Sequence, residues 1–173
     1  MHATAPHAGI TALALFLVCA SASASAQTES QPSPPPGTTV VREVQAGGAQ
    51  VYACRAAAGG AYQWTLVGPK ALLINDDGTD FGTHSAGPTW TAVDGSSIGA
   101  DGAHPLAKIA RPQSVPALLL AVTSTHGEGV LNGVRLVRRA ETQGGTAPAT
   151  GCDATHVDAT TASRYSAVYT FYR

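Results

Sequence analysis

Glycine and proline occur so often in this sequence that no long amphipathic helix is predicted after residue 26. The 173 residues include 19 glycines and 11 prolines. Beyond residue 26, no window of about 12 residues repeats its apolar residues every three to four positions. Several short segments instead alternate apolar and polar residues, which is the period of a half-buried strand. The pattern predicts an all-β chain, folded as an antiparallel sandwich or a barrel-like single domain.

The strands are predicted most clearly at three places. Residues 50–54 alternate, and residues 165–172 place two tyrosines and Phe171 on one face. Residues 117–125 begin as a continuous apolar run, which is typical of a strand buried on both faces. The Asn-Asp-Asp-Gly sequence at 75–78 is a strong signal for a hairpin turn. The closing strand is therefore expected to be a central strand of the fold.

The first 26 residues have the features of an export signal. The apolar run from Ile10 to Ala20 is eleven residues long, which is too short for a membrane span of about 20 residues. Small residues at 24–26 supply a cleavage pattern, so the mature chain is expected to begin at Gln27. We predict a signal peptide over 1–26, a polar proline-rich leader over 27–38 and one β domain over 39–173. The protein is therefore expected in the periplasm or outside the cell, without a transmembrane segment.

Two of the three cysteines follow the expected cleavage site, namely Cys54 and Cys152. An even number of cysteines in an exported chain is typical of a disulfide. The two lie 98 residues apart, so an unstrained bridge would stabilise the fold by about 4–5 kcal/mol in the loop-entropy description. A pair of buried free thiols is the alternative.

The charges exclude one class of partner. Ten basic and eleven acidic side chains give a net charge of −1 and form no run. Nothing therefore indicates a surface for nucleic acid or for an anionic membrane. The densest basic group is Arg135, Arg138 and Arg139. On a strand Arg135 and Arg139 would share a face, which we interpret as a solvated edge.

The candidate binding site lies between residues 82 and 96. His84, Trp90, Asp94 and Ser96 occur here in a stretch too rich in glycine and proline to be a helix. An exposed tryptophan beside Asp and His is typical of a sugar-binding surface, and a tryptophan packed over the end of the sheet is the alternative. A metal held by His84 with help from Asp94 or Asp101 is a weaker hypothesis, since no two histidines have ligand spacing. The metal therefore stays unknown.

Other motifs have structural interpretations. Residues 95–99 match the nucleophile pattern of hydrolases, but the residues after them cannot form the helix that this pattern needs. The acidic residues at 76–80 lack the order of a calcium loop and suit a hairpin tip. No dinucleotide-binding pattern is present. We therefore assign no cofactor and no catalytic residue, and an enzyme is the less favoured class.

At these residues the chain resembles a family of exported bacterial and fungal proteins known as domain of unknown function 3455. The resemblance runs from about Glu43 to Arg173 and implies an exported single domain in which Cys54 and Cys152 are paired. It implies no activity. The matching residues are Gln50, Val51, Tyr52, Cys54, Trp64, Pro69, Ala71, Leu72, Gly82, His84, Gly87, Pro88, Thr89, Trp90, Asp94, Gly95, Ser96, Arg138 or Arg139, Thr142, Gly144, Gly145, Pro148, Cys152, Tyr165, Ala167, Tyr169, Phe171 and Tyr172.

Three functions remain open. The favoured one is a non-catalytic envelope or extracellular binding module, in which His84, Trp90 and Asp94 face a polysaccharide or another envelope component. The second is a small secreted metal-binding protein or enzyme that uses His84 and Asp94. The third is a structural envelope protein. The exposure of Trp90 and the approach of His84 to Asp94 distinguish them. The sequence predicts no oligomeric state.

Overall fold

The computed structural model describes residues 1–2 and 30–173 of the chain. The predicted signal peptide therefore lies outside the described residues, apart from Met1 and His2, and so does the start of the predicted leader. Within the described part, no helix has the length and the apolar character needed to cross a membrane.

Strands make up almost all the regular structure of residues 30–173, so the predicted all-β class is confirmed. A single turn of 3₁₀ helix (Ala58–Gly60) separates the first two strands. The strands are β1 (Val40–Ala56), β2 (Tyr62–Ile74), β3 (Asp80–Ser85), β4 (Thr89–Ala92), β5 (Ser97–Ala100), β6 (Ala107–Arg111), β7 (Ser114–His126), β8 (Leu136–Gly144) and β9 (Thr160–Tyr172).

The strands form one antiparallel sheet that closes on itself. The order of neighbours is β5-β4-β3-β2-β1-β9-β8-β7-β6. The C-terminal half of β7 also pairs with β5, from Ser97 opposite His126 to Ala100 opposite Val122. This pairing joins β5 to the other side of the sheet, so all strands except β6 form a closed ring. Of the two predicted architectures, the molecule has the barrel.

One end of the barrel interior is filled by apolar side chains. They come from the start of β1, the end of β9 and the residues around the β2–β3, β4–β5 and β7–β8 connections. The closing strand β9 lies between β1 and β8, so it is a central strand as predicted, and its fully buried Phe171 belongs to this end. The main members of this core are Val44, Leu73, Phe81, Ala92, Ile98, Leu131, Val134, Val137 and Phe171.

Gly82 permits the close approach of β3 and β4. A Cβ atom at this position would lie 2.0 Å from the Thr91 carbonyl oxygen. Its backbone has φ +157°, a value that residues other than glycine rarely adopt. A glycine is therefore required here by backbone packing, independently of any ligand.

The predicted disulfide is present between Cys54 of β1 and Cys152 of the β8–β9 connection. Trp64 lies opposite Cys54 in the β1–β2 ladder. Its indole Nε1 donates a hydrogen bond of 2.9 Å to the Thr150 carbonyl oxygen. The disulfide and this bond together hold the long β8–β9 connection against the barrel.

The described part of the predicted leader also contacts the barrel. Pro32 is buried, and Arg111 of β6 donates hydrogen bonds to the Ser30 carbonyl oxygen and to Oε1 of Gln31. These contacts place residues 30–32 beside the strand that lies outside the ring.

Candidate functional site

The four predicted site residues form two separate features at opposite ends of β4. His84 on β3 and Trp90 on β4 are direct partners across the ladder. Their rings stack with centroids 4.4 Å apart and planes 7° from parallel. Asp94 and Ser96 lie in the turn between β4 and β5, beyond the other end of this four-residue strand. No hydrogen bond between His84 and Asp94 occurs in the described structure.

Asp94 and Ser96 fasten the β4–β5 turn to the β7–β8 connection. Asp94 Oδ1 accepts hydrogen bonds from the Ser96 backbone N–H (2.9 Å) and hydroxyl (2.6 Å). Its Oδ2 accepts one from the Val130 N–H at 2.8 Å, and the Ser96 hydroxyl accepts one from the Leu131 N–H at 3.2 Å. The hydrogen bond from the Ser96 hydroxyl lowers the pKa of the Asp94 carboxyl most, and the bonds from the Val130 and Ser96 N–H groups lower it further. Both carboxylate oxygens thus hold backbone in place.

His84 is a buried, neutral histidine. Its side chain is almost inaccessible, with only 2% of the residue exposed. Nδ1 lies 2.9 Å from the Thr89 carbonyl oxygen, which can only accept, so Nδ1 carries the proton. Burial lowers the pKa of His84 to about 4, with the charge of Arg139 acting in the same direction and the Thr89 bond opposing it. The tryptophan stack therefore involves an uncharged ring at neutral pH.

We expect the protein to lose stability as the pH falls from 6.5 to 4. The unfolded chain protonates His84 near pH 6.5, whereas the folded chain does so only near 4. The unfolded state thus binds more protons between these values, and the contribution present above pH 6.5 is lost on the way down. The loss should reach about 3 kcal/mol. Urea unfolding at several pH values measures it. The variant His84→Gln should show a shallower slope over this range, and an equal slope would contradict the assignment.

The stacked pair lies at the floor of an interior cavity. The cavity has a volume of about 550 Å³, which is within the range of small-molecule sites, about 300–1,000 Å³. Tyr169 completes the floor, with its ring edge against His84 at 5.0 Å between centroids. The cavity opens at the end of the barrel opposite the filled core, where Leu66, Val67 and Lys108 line it and are exposed.

Two buried donors in the cavity lining, Nε2 of Gln50 and Nε1 of Trp90, have no hydrogen-bond partner. The Tyr169 hydroxyl, which also lines the cavity, lies within hydrogen-bond reach of the Tyr165 and Arg139 side chains. Gln50 and Trp90 are at most 2% exposed. A buried polar group left unsatisfied costs about 1–3 kcal/mol, so water or a bound molecule that satisfies these groups would be favoured. Such unmet groups are the kind of feature that marks a binding site.

Arg139 also lines the cavity, which corrects the interpretation of this residue as part of a solvated edge. It is half-buried, and its Nε donates a hydrogen bond of 3.1 Å to the Pro116 carbonyl oxygen. Arg135 does not share its face, because β8 begins only at Leu136. The sequence held a signal for the inward position of Arg139, because it lies two residues after the apolar Val137, on the same face of the strand. Val137 is fully buried.

Gln50 and Tyr169 were also missed as site residues. Gln50 stands two positions before the buried Tyr52 on β1, so a polar residue at an inward position was the available signal. Tyr169 was recognised only as a strand residue. Among the described residues, no group of three or more His, Cys, Asp and Glu side chains could hold a metal ion.

Comparison with known proteins gives one match. A family profile described as a protein of unknown function (DUF3455) matches residues 34–173. No curated protein and no solved structure matches the chain. The matched residues include every strand of the barrel, both disulfide cysteines and the whole cavity lining. The chain therefore belongs to the DUF3455 family.

Proposed function

We propose that this protein is a non-catalytic binding barrel that takes up a small molecule through the open end of its cavity. The observation that carries the proposal is the division of the interior, with one end packed and the other enclosing about 550 Å³. A barrel of about eight strands has room for one small ligand once side chains do not fill it. The unsatisfied polar groups at the floor supply points of recognition.

The burial of Trp90 changes the expected mode of binding. Its exposed fraction is 0%, and its face is covered by the His84 ring. A polysaccharide that lies on the outer surface has no access to this face, so stacking of a sugar on Trp90 is not the mode of binding. The proposal therefore places the site in the interior of the barrel and not on a surface that exposes Trp90.

The placement of His84 and Asp94 supports a binding function over an acid–base one. General acid–base catalysis needs its groups within hydrogen-bond reach of one reacting atom. Here Nδ1 of His84 is bonded to a backbone carbonyl, and Asp94 holds the opposite end of the barrel. The two residues thus serve different parts of the fold.

We also propose that the protein acts in the periplasm or outside the cell. The apolar N-terminal run with small residues at 24–26 supports export. The Cys54–Cys152 disulfide supports an oxidising compartment, because such bonds persist there and are rare in the cytosol.

A neutral fluorescent probe, N-phenyl-1-naphthylamine, tests the binding proposal. We expect one probe to bind per chain, with a rise in its fluorescence. Val115 lines the cavity and is 8% exposed, so Val115→Trp should occupy the site and weaken probe binding by about tenfold or more. The matched control is Val93→Trp, because Val93 is 71% exposed in the β4–β5 turn.

The two variants separate cavity binding from surface adsorption. Equal binding by Val93→Trp and the unaltered protein, with loss only in a folded Val115→Trp, supports the proposal. Folding of each variant is checked by circular dichroism and urea unfolding. Absence of probe binding to the unaltered protein, or equal binding by both variants, would overturn the proposal and favour a structural envelope protein.

A further inference from the structure

The cavity lining carries positive charge and no acidic side chain. Arg139 lies within the cavity and Lys108 at its exposed rim. Among the described residues that line the cavity there is no Asp or Glu. A cationic ligand would meet repulsion here, whereas an anionic one would be attracted into a site with a low dielectric.

The guanidinium of Arg139 is held in place but has no carboxylate partner in the described part of the chain. Its Nε donates to the Pro116 carbonyl oxygen, which restrains the planar group. It also lies near the Tyr169 hydroxyl, whose pKa is raised by burial while Arg139 opposes that shift. No described carboxylate neutralises this half-buried cation, so an anion that enters the cavity could form a charge-assisted hydrogen bond with it.

The neighbouring Arg138 shows the ordinary arrangement on the outside of the same strand. Its Nη2 lies 3.3 Å from Glu43 Oε2 and 3.0 Å from the Thr170 hydroxyl. Arg138 is thus paired by the protein, whereas Arg139, one residue later on the opposite face, is not paired with any described carboxylate. An anionic ligand in the cavity would give Arg139 the kind of partner that Glu43 gives Arg138.

The other unmet groups suit the same kind of ligand. Nε2 of Gln50 and Nε1 of Trp90 can only donate hydrogen bonds. A carboxylate offers several acceptor positions and binds a guanidinium in a two-pronged geometry. The apolar part of a ligand would find Leu118 and Leu120, which line the same cavity.

We infer that the ligand is a small organic acid, with its carboxylate bound by Arg139 and its apolar or aromatic body packed against Leu118 and Leu120. The inference rests on the proposed function, because it names the class of molecule that the cavity takes. It also assigns a role to Arg139, which makes the cavity selective for an anionic ligand over a neutral one.

The test compares two probes of nearly the same shape, 2-naphthoate and 2-naphthamide, by displacement of N-phenyl-1-naphthylamine and by calorimetry. We expect the unaltered protein to bind the acid about 10- to 100-fold more tightly than the amide. Arg139→Gln should lose this preference, and circular dichroism with urea unfolding checks that this variant folds. Arg138→Gln is the matched control and should keep the preference.

The outcomes separate the two proposals. Binding of the fluorescent probe with equal affinity for acid and amide would overturn the organic-acid inference and leave the binding barrel standing. A preference for the acid that survives in Arg139→Gln would overturn the role of Arg139. Failure of all probes to bind would remove the proposed function itself. The comparison of acid with amide on the unaltered protein needs no variant, so it decides even if Arg139→Gln does not fold.

Discussion

Replacing both cysteines in Cys54→Ala/Cys152→Ala should lower the free energy of unfolding by about 4–5 kcal/mol. The bridge joins residues 98 positions apart, so without it the unfolded chain gains a large number of conformations. For a domain of this size the melting temperature should fall by about 15 °C. Alanine is preferred to serine, because Cys54 is fully buried and a hydroxyl there would need a partner. Urea unfolding and calorimetry measure both quantities.

Reduction provides the control for this prediction. The unaltered protein in a thiol reductant should approach the stability of the double variant, and the variant itself should not respond to the reductant. The β8–β9 connection held by the bridge does not line the cavity, so the folded fraction of the variant should still bind the neutral probe. A loss of less than about 1 kcal/mol would contradict the prediction.

Replacement of Trp90 by alanine should destabilise the protein by about 3–5 kcal/mol, the usual cost of removing a large buried aromatic side chain. Trp90 is fully buried, and besides the His84 stack its ring meets Tyr169 and Phe171 edge-on, with centroids 5.6 and 6.3 Å away. Its loss would therefore remove the central contact between the packed end of the barrel and the cavity floor. Urea unfolding with circular dichroism detection measures the effect.

Two further substitutions make this measurement specific. Trp90→Phe should retain a large part of the stability, because an aromatic ring still stacks on His84. Trp64→Ala removes a tryptophan that is only half-buried and should cost less, although it also removes the hydrogen bond to Thr150. A Trp90→Ala variant with nearly unchanged stability would show that the ring does not support the floor.

The long strands β1, β7 and β9 were predictable because each depends on a local pattern, whereas the short strands β3, β4 and β5 and the closure of the sheet were not. The sequence alternation in residues 50–54 and 165–172 follows from the two-residue period of a strand, and both segments lie in strands, β1 and β9. The burial does not alternate throughout, because β9 is buried on both faces from Ala167 to Tyr172. The choice between sandwich and barrel depends on whether β5 pairs with β7. That ladder joins Ser97 to His126, and backbone hydrogen bonds carry no sequence signal of their own.

The site was predictable only where its residues are close in sequence. His84 and Trp90 lie six positions apart and meet across a hairpin ladder, so their proximity followed from the local segment. Asp94 belongs to the same segment but lies beyond the other end of β4, because a strand carries successive residues apart at about 3.3 Å each. The short separation of His84 and Asp94 in the sequence was therefore misleading, because the four-residue strand β4 holds them apart.

By itself, the sequence determined the all-β class, the paired cysteines and the segment that contains His84 and Trp90, since local periodicity and composition decide these features. Only the tertiary structure decided that Gln50, Arg139 and Tyr169, from β1, β8 and β9, share one cavity with that pair. Closure of the ring brings distant strands around a common interior. Burial there gives the charge of Arg139 and the unpaired donors a free-energy cost that a bound ligand can offset, whereas exposed side chains are solvated by water.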